Sequence, residues 1–431
     1  MKKTLTRRDF FKLAGGAAFA VAGASVIPQY LRKTLTPVGI AEAQSAQPDL
    51  FFAGTDGWIY LPPTPPISFY HPDNLAPAPF TTYIFGFRNV TGLTDAQRAA
   101  QKNKAQHNAP LFWAKEGEVF RLQLTNLGLA LRPDLFDAHT VHWHGFRNVI
   151  PFFDGEPTGS VSVGPSATFT YVYRAHDPGT YMYHCHVEDV EHVHMGMTGL
   201  VFVRPALGDH YAYNDPSTYF DREFAMFLSE VWAEAHWADA HIQLPEWSDY
   251  RADFALLNGR VYPDTLAPNG SIDPFHPVRD ANGDLIPPAG HPELQYQPLS
   301  SLVRCNAGEK VLLRFANLGF KETAMTLTGI KMKVVGKDAT PMKGRDGTDT
   351  SYETETLSFG AGESIDAIFT APAFSGGSGS SGNGYDTYVL YNRTYTRADN
   401  LAAGGFGGQA TEIHVYPSGT LGAQQYPNDW A

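Results

Sequence analysis

The sequence predicts an all-β protein built as two Greek-key β-sandwich domains. The chain has 431 residues, 43% hydrophobic and 18% charged, which fits a globular protein too long for one ordinary core. Its 41 Gly and 31 Pro separate short apolar or alternating runs, and no long helical pattern dominates. Three stretches also occur twice in the same order, which is the mark of a duplicated unit.

The first repeated stretch is "GEVFRLQLTNLG" (117–128) against "GEKVLLRFANLG" (308–319), each a Gly-Glu turn followed by a half-buried strand. The second is "VGPSATFTYVY" (163–173) against "FGAGESIDAIF" (359–369), a turn leading into an alternating strand. The third is "TYMYHCH" (180–186) against "TYVLYNR" (387–393). These matches place one domain at 50–205 and the other at 220–418. One helix is expected over Thr94–Gln106, where Thr94 and Gln97 can form a capping box. The Gly/Ser run 375–384 reads as a flexible surface loop.

Residues 1–43 read as a cleaved leader. Arg7 and Arg8 precede a weakly apolar run, Leu13 to Ile27, too short for the roughly 20 residues of a spanning helix. The paired arginines point to twin-arginine export and a periplasmic or extracellular location, with no membrane span in the mature chain. The net charge of −12 becomes (32 − 7) − (44 − 2) = −17 once the leader is removed. Such an acidic protein is a poor partner for nucleic acid or an anionic membrane. Metal ions or basic redox proteins suit it better. Cys185 and Cys305 are the two cysteines, so no disulfide framework is implied.

Two patches concentrate metal-ligand chemistry. "HTVHWHG" (139–145) holds three histidines, and "HCHVEDVEHVHMGM" (184–197) holds four more, with Cys185 and two methionines. Strand alternation sends His142 and His144 to one face and Trp143 to the other. It likewise separates His184 and His186 from Cys185. A sulfur site and an all-nitrogen site would then be joined through covalent bonds. Cys185, two histidines and a methionine make a blue-copper ligand set. His139 and His192 with Met197 can complete it, and His194 and Met195 compete for the same roles. A structural zinc site would favour a closed Cys/His set, which one thiol and paired histidines fit poorly. Cys305, at the start of a strand in "RCNAGE", reads as an inert core thiol.

These residues resemble the multicopper oxidase family of cupredoxins. "HTVHWH" is similar to its His-x-x-His-x-His signature, and the second patch to its His-Cys-His, later His, then Met signature. The family places its last His five residues before the axial Met, which selects His192 and Met197 over His194. The resemblance implies cupredoxin-like domains and copper. Type 1 ligands would be His139, Cys185, His192 and Met197. His142 would face a type 2 copper, and His144, His184 and His186 a type 3 pair. Asp154, in "FFDG" after "HWHG", would be a proton relay. An electron donor (a phenol, a metal ion or a redox protein) would feed the type 1 site, and dioxygen would be reduced to water. Glu188, Asp189 and Glu191, in the extended loop between Cys185 and His192, would influence that donor.

The family pattern breaks in the second copy. Through the repeat, His139, His142 and His144 meet Thr323, Thr326 and Thr328. His184, Cys185 and His186 meet Tyr391, Asn392 and Arg393. His236, His241, His276, His291 and His414 are scattered and read as surface or core residues. Three readings remain: an oxidase whose cluster is completed by another chain, a nitrite-reductase-like enzyme, or a blue-copper carrier. Retention of four cluster-facing histidines favours the first, with a homo-oligomer or a partner chain supplying the rest.

Overall fold

The computed structural model describes residues 47–429 apart from Pro65, 378–381 and 398–406. The expected leader, 1–43, and the centre of the Gly/Ser run lie outside the described residues.

The first eight strands are β1 (Leu50–Ile59), β2 (Thr82–Asn89), β3 (Phe112–Lys115), β4 (Val119–Gly128), β5 (His142–His144), β6 (Thr168–Arg174), β7 (Gly179–His184) and β8 (Thr198–Arg204). They form two sheets, ordered β2-β1-β4-β6 and β3-β8-β7-β5. β1 runs parallel to β4 and β3 parallel to β8, while β4–β6, β5–β7 and β7–β8 are antiparallel. Strand β4 alternates burial residue by residue. Its Phe120, Leu122 and Leu124 enter a core shared with Phe52, Phe87, Trp143 and Tyr183 from both sheets.

The remaining strands repeat this plan. They are β9 (Arg222–Val231), β10 (Phe254–Leu257), β11 (Val303–Asn306), β12 (Lys310–Asn317), β13 (Thr323–Leu327), β14 (Met332–Lys337), β15 (Thr340–Pro341), β16 (Tyr352–Thr354), β17 (Thr356–Phe359), β18 (Ser364–Thr370), β19 (Asp386–Asn392) and β20 (Ala410–Tyr416). One sheet begins β10-β9-β12-β18 and is extended by β14 and β15, and the other is β11-β20-β19-β13-β17. The parallel pairs recur as β9–β12 and β11–β20. The register recurs as well: His142 pairs with His184, and Thr326 pairs with Tyr391. Two sandwiches of one topology are the all-β architecture that the repeats foretold, in the cupredoxin-like form that the resemblance implied.

The helices differ from expectation. Thr94 caps α1 through the expected capping box, but α1 covers only Asp95–Ala99. Beyond it the backbone is drawn onto the sheet edge, where Ala105 N–H donates to Asp56 O at 3.0 Å and Gln106 N–H to Phe87 O at 3.0 Å. The acidic stretch after Cys185 is not a loop; it forms α2 (Asp189–Met195). A third helix, α3 (Ala233–Ala240), follows β9.

The sandwiches meet along β7, which is buried at all six positions. Met182, Leu200 and Phe202 from the first pack on Ala225, Phe227 and Ala316 from the second. Beside this apolar contact lies a buried charge network. Arg314 Nε donates to Glu223 at 2.9 Å, and its Nη1 lies 3.5 Å from Asp366. Asp366 accepts from Thr180 Oγ1 at 2.5 Å and from Tyr213 Oη at 2.6 Å. Ser364 Oγ donates to Thr180 O at 2.7 Å, which ties the start of β18 to β7. Asp366→Ala leaves the Thr180 and Tyr213 hydroxyls without their acceptor and the buried Arg314 with Glu223 as its one remaining carboxylate, and should cost about 3–5 kcal/mol in denaturant unfolding. Lys343→Ala, which breaks an ion pair on an exposed lysine, should cost no more than about 1 kcal/mol.

Candidate metal centre

The end of β7 and the turn after it set the geometry. His184 is the last residue of β7, and Cys185 N–H donates to Met197 O at 3.0 Å, continuing the pairing with β8. That bond aims the Cys185 side chain into the first core, where it is wholly buried. Its Sγ lies 3.2 Å from His192 Nδ1, and Thr140 N–H points at the sulfur from 3.5 Å. Ligand atoms of His139, Cys185 and His192 all lie within 4.8 Å of one another. Met197 is also fully buried. A Cβ added at Gly54 would sit 2.7 Å from His139 Cδ2 and 3.4 Å from Met197 Cε, so both side chains converge over that glycine.

The electrostatics suit a thiolate. Burial alone would push the Cys185 thiol up, but the facing His192 and His139 imidazoles outweigh it and hold the thiol well below its usual range. Burial would lower His192, yet Cys185 and Asp137 together raise it to about 10. The ring nitrogens of His139 make no directed hydrogen bond. A buried, unsatisfied imidazole beside a thiolate and a thioether is the donor set of a soft-metal site. Cys305 has no such neighbours, and burial pushes its thiol up to about 12.

The second group lies on the opposite face of the same strand ends. Ligand atoms of His142, His144 and His184 lie within 4.8 Å of one another. His144 Nδ1 is 3.3 Å from His184 Nε2, and the His186 ring stands 4.9 Å from that of His142. His186 therefore borders the cluster from beyond the strand end. His184 Nδ1 lies 2.8 Å from Cys185 O and His142 Nδ1 lies 2.9 Å from Asp154 O, which leaves both Nε2 atoms facing the group. Burial lowers all three of His142, His144 and His184, the last to about 3, so they are held as neutral imidazoles. His144 Nε2 lies 3.1 Å from Gly362 O in the second sandwich. The Asp154 carboxylate is 3.6 Å from His142, and burial raises its pKa.

The competing residues point elsewhere. His194 Nε2 accepts from Trp232 N–H at 3.0 Å, and its ring lies against His236. Met195 packs in the first core. His236 Nδ1 reaches Tyr83 O, His241 pairs with Asp73, His291 with Glu293 and His414 with Glu412, while His276 is exposed. Asp137 was missed from sequence although it stands two residues before His139; its Oδ2 lies 3.5 Å from His192 Nε2. Gly54 and Gly362 carry no ligand chemistry and could not have been found that way.

The same place in the second sandwich is closed by hydrogen bonds. Thr323 pairs with Phe359 as His139 bridges Val163, and Asn392 N–H donates to Gln409 O as Cys185 N–H does to Met197 O. Asn392 Nδ2 donates to Thr323 Oγ1 at 2.8 Å and to Gln409 Oε1 at 2.7 Å. By strand register Gly54, opposite Asn126, corresponds to Leu228, opposite Asn317. Leu228 fills the space with core.

A family profile described as Multicopper oxidase matches residues 85–206, the stretch that holds every residue of both groups. Over that stretch the chain is similar to the multicopper oxidase family. Copper resistance protein A of Escherichia coli is 26% identical over 272 residues, 58% of this chain and 40% of that protein. The chain thus spans about two-fifths of that relative's length. Its fold is shared with the blue copper oxidase of Nitrosomonas europaea, at a TM-score of 0.55 and 20% identity over 85% of each chain. It is shared also with the copper nitrite reductase of that organism, at a TM-score of 0.53 and 15% identity over 88% of this chain and 96% of the other.

Gly54→Ala should force the His139 ring aside. The intense thiolate-to-metal absorption formed on adding cupric ion should weaken or shift, with thermal unfolding moved little. Unchanged absorption in that variant would show that His139 is not a ligand.

Proposed function

We propose that the chain is an exported copper oxidoreductase, with 50–205 as the copper-binding domain and 220–418 as a domain that holds no copper. His139, Cys185, His192 and Met197 would hold a type 1 copper. His142 would face a type 2 ion, and His144, His184 and His186 a type 3 pair. Copper bound at these places supplies one-electron acceptance from a donor and reduction of dioxygen to water. One observation carries the reading: Cys185 faces His139 and His192 in the core, while the residues on either side of it, His184 and His186, belong to the second group. The two groups are joined by covalent bonds of one short segment.

The chain's own residues do the rest. Thr140 N–H and the buried surroundings steady the sulfur. Asp154 O fixes the His142 ring, and the Asp154 carboxyl, whose pKa burial raises, stands 3.6 Å from His142, where it would relay protons to the cluster. Gly362 O fixes His144 from the second sandwich. Because Thr326, Thr328, Tyr391 and Arg393 stand where the missing ligands would be, another chain completes the cluster. A second copy related by a two-fold axis would bring its own His142, His144, His184 and His186. Ile150 and Phe152, about half exposed beside Asp154, give that face an apolar rim.

The nitrite-reductase-like reading draws on one observation, that His142, His144 and His184 can hold a single ion without help. Copper analysis of the purified chain separates the two. Two coppers per chain favour the reductase, and three or more per cluster favour the oxidase. Cys185→Ser should abolish the visible absorption of the cupric protein with the sandwich intact, while Cys305→Ser keeps it. The symmetric completion predicts a copper-dependent dimer that reduces dioxygen, with both properties weakened by His142→Ala. A copper-loaded monomer that reduces dioxygen to water would remove the need for a second chain.

A further inference from the structure

His192 is the way out of the sulfur site, and it is covered. Its Nδ1 faces Cys185, its Nε2 points towards Asp137, and the imidazole is 0% exposed. A small aromatic donor therefore finds no imidazole edge to stack on. What it meets instead is a cover made of the Asp137 carboxylate, Glu188 and the start of α2, where ligand atoms of Asp137, Glu188 and His192 lie within 4.8 Å of one another.

Around that cover the surface is apolar at its centre and acidic at its rim. Phe136, next to Asp137, is 81% exposed, and Val190, on α2, is 48% exposed. α3 packs on β2 beside α2, and Glu191 of α2 shares a hydrogen bond with Asp239 of α3. The chain leaving α3 exposes Ile242 and Leu244, the latter at 86%. Asp134, Glu188 and Asp189, within two residues of Phe136 or Val190, are exposed. Arg132, the cation of this region, is buried and already committed to Asp134 and Asp239. Large apolar side chains held in water beside carboxylates are what a protein interface presents, with an apolar centre for contact and a charged rim for steering.

We propose that this face, with Phe136, Val190, Glu188 and Asp189 over the buried His192, docks a basic electron-transfer protein. The proposal rests on the reading of His139, Cys185, His192 and Met197 as an electron-accepting metal centre. A bare metal ion would use the carboxylates but not Phe136 and Val190, whereas a protein uses both. The negative field of a chain with a formal charge of −12 draws a cationic partner to the face and orients it. The partner loses one electron and the oxidoreductase gains it; no proton moves and no bond forms or breaks. The path runs from the partner's redox group across the Asp137–His192 contact.

The test uses copper-free protein, so that binding is read apart from turnover. Ferric cytochrome c, a basic haem protein, is titrated calorimetrically at low ionic strength. Saturable binding is expected, and it should weaken steeply with added salt. The pair Glu188→Lys and Asp189→Lys should raise Kd by about tenfold or more, and Phe136→Ser should raise it severalfold through lost apolar contact. Asp95→Lys, an exposed carboxylate on α1, should change it by no more than about twofold. Circular dichroism checks that each variant is folded. Absence of binding, or binding that these variants do not weaken, would overturn the proposal. So would tight manganous or cuprous binding at Glu188 and Asp137 without cytochrome binding, which would give the carboxylates to a metal substrate. A copper-loaded wild type that shows no thiolate absorption would remove the metal-centre reading itself, a result that the calorimetry cannot produce.

Discussion

A thiolate in the middle of an apolar sandwich needs facing positive or metal-binding groups, because burial by itself would keep the sulfur protonated and inert. Cys305 shows that outcome in this chain, with its thiol pushed up to about 12. Cys185 escapes it through two imidazoles, His192 from seven residues on and His139 from the segment that leads into β5. The backbone pairing of Cys185 with Met197 fixes where the sulfur points. The adjoining residues must then turn to the other face, and so the position of the histidine cluster follows from the sulfur. Hydrogen bonds accepted by Asp154 O and Cys185 O choose which nitrogen of His142 and His184 faces inward.

The second sandwich shows what the same topology does without that requirement. Its strands follow the same order and register, yet the pocket is filled by Thr323, Asn392, Gln409 and Leu228. The fold therefore does not depend on metal ligands, and its stability rests on apolar packing and on the Arg314–Asp366 network at the seam. The second sandwich remains tied to the chemistry through Gly362, whose carbonyl holds His144.

Much of this was legible in the sequence because strands advertise themselves by alternation. β4 and β12, β6 and β18, and β7 and β19 were matched by their turns and periods, and the structure pairs them at corresponding places. The metal-site residues were legible because His, Cys and Met are rare and here are dense. Helix extents were not, since tertiary hydrogen bonds stop α1 where local propensity would continue it. α2 was missed because its seven residues are held by packing of His192, His194 and Met195 and by Gly196 at the C-terminus, with no side-chain cap at the start; Glu188 before it is left-handed, at φ 47°. Gly54 and Gly362 were invisible for another reason: their contribution is an absence of side chain, which acquires meaning only when another part of the chain arrives.

Gly54 and Leu228 hold corresponding places in two sandwiches, one open and one filled. A histidine introduced at Thr323 would remove the hydroxyl that accepts from Asn392 Nδ2. A cysteine at Asn392 would strip Thr323 and Gln409 of their hydrogen-bond partner. Each step towards a metal pocket in the second sandwich is thus harmful until the others are made, and each step away from one in the first is harmful while the ligands remain. The two halves are separated by an epistatic ratchet. That is a reason for the asymmetry of the chain to persist, quite apart from any use the cell has for a half without metal.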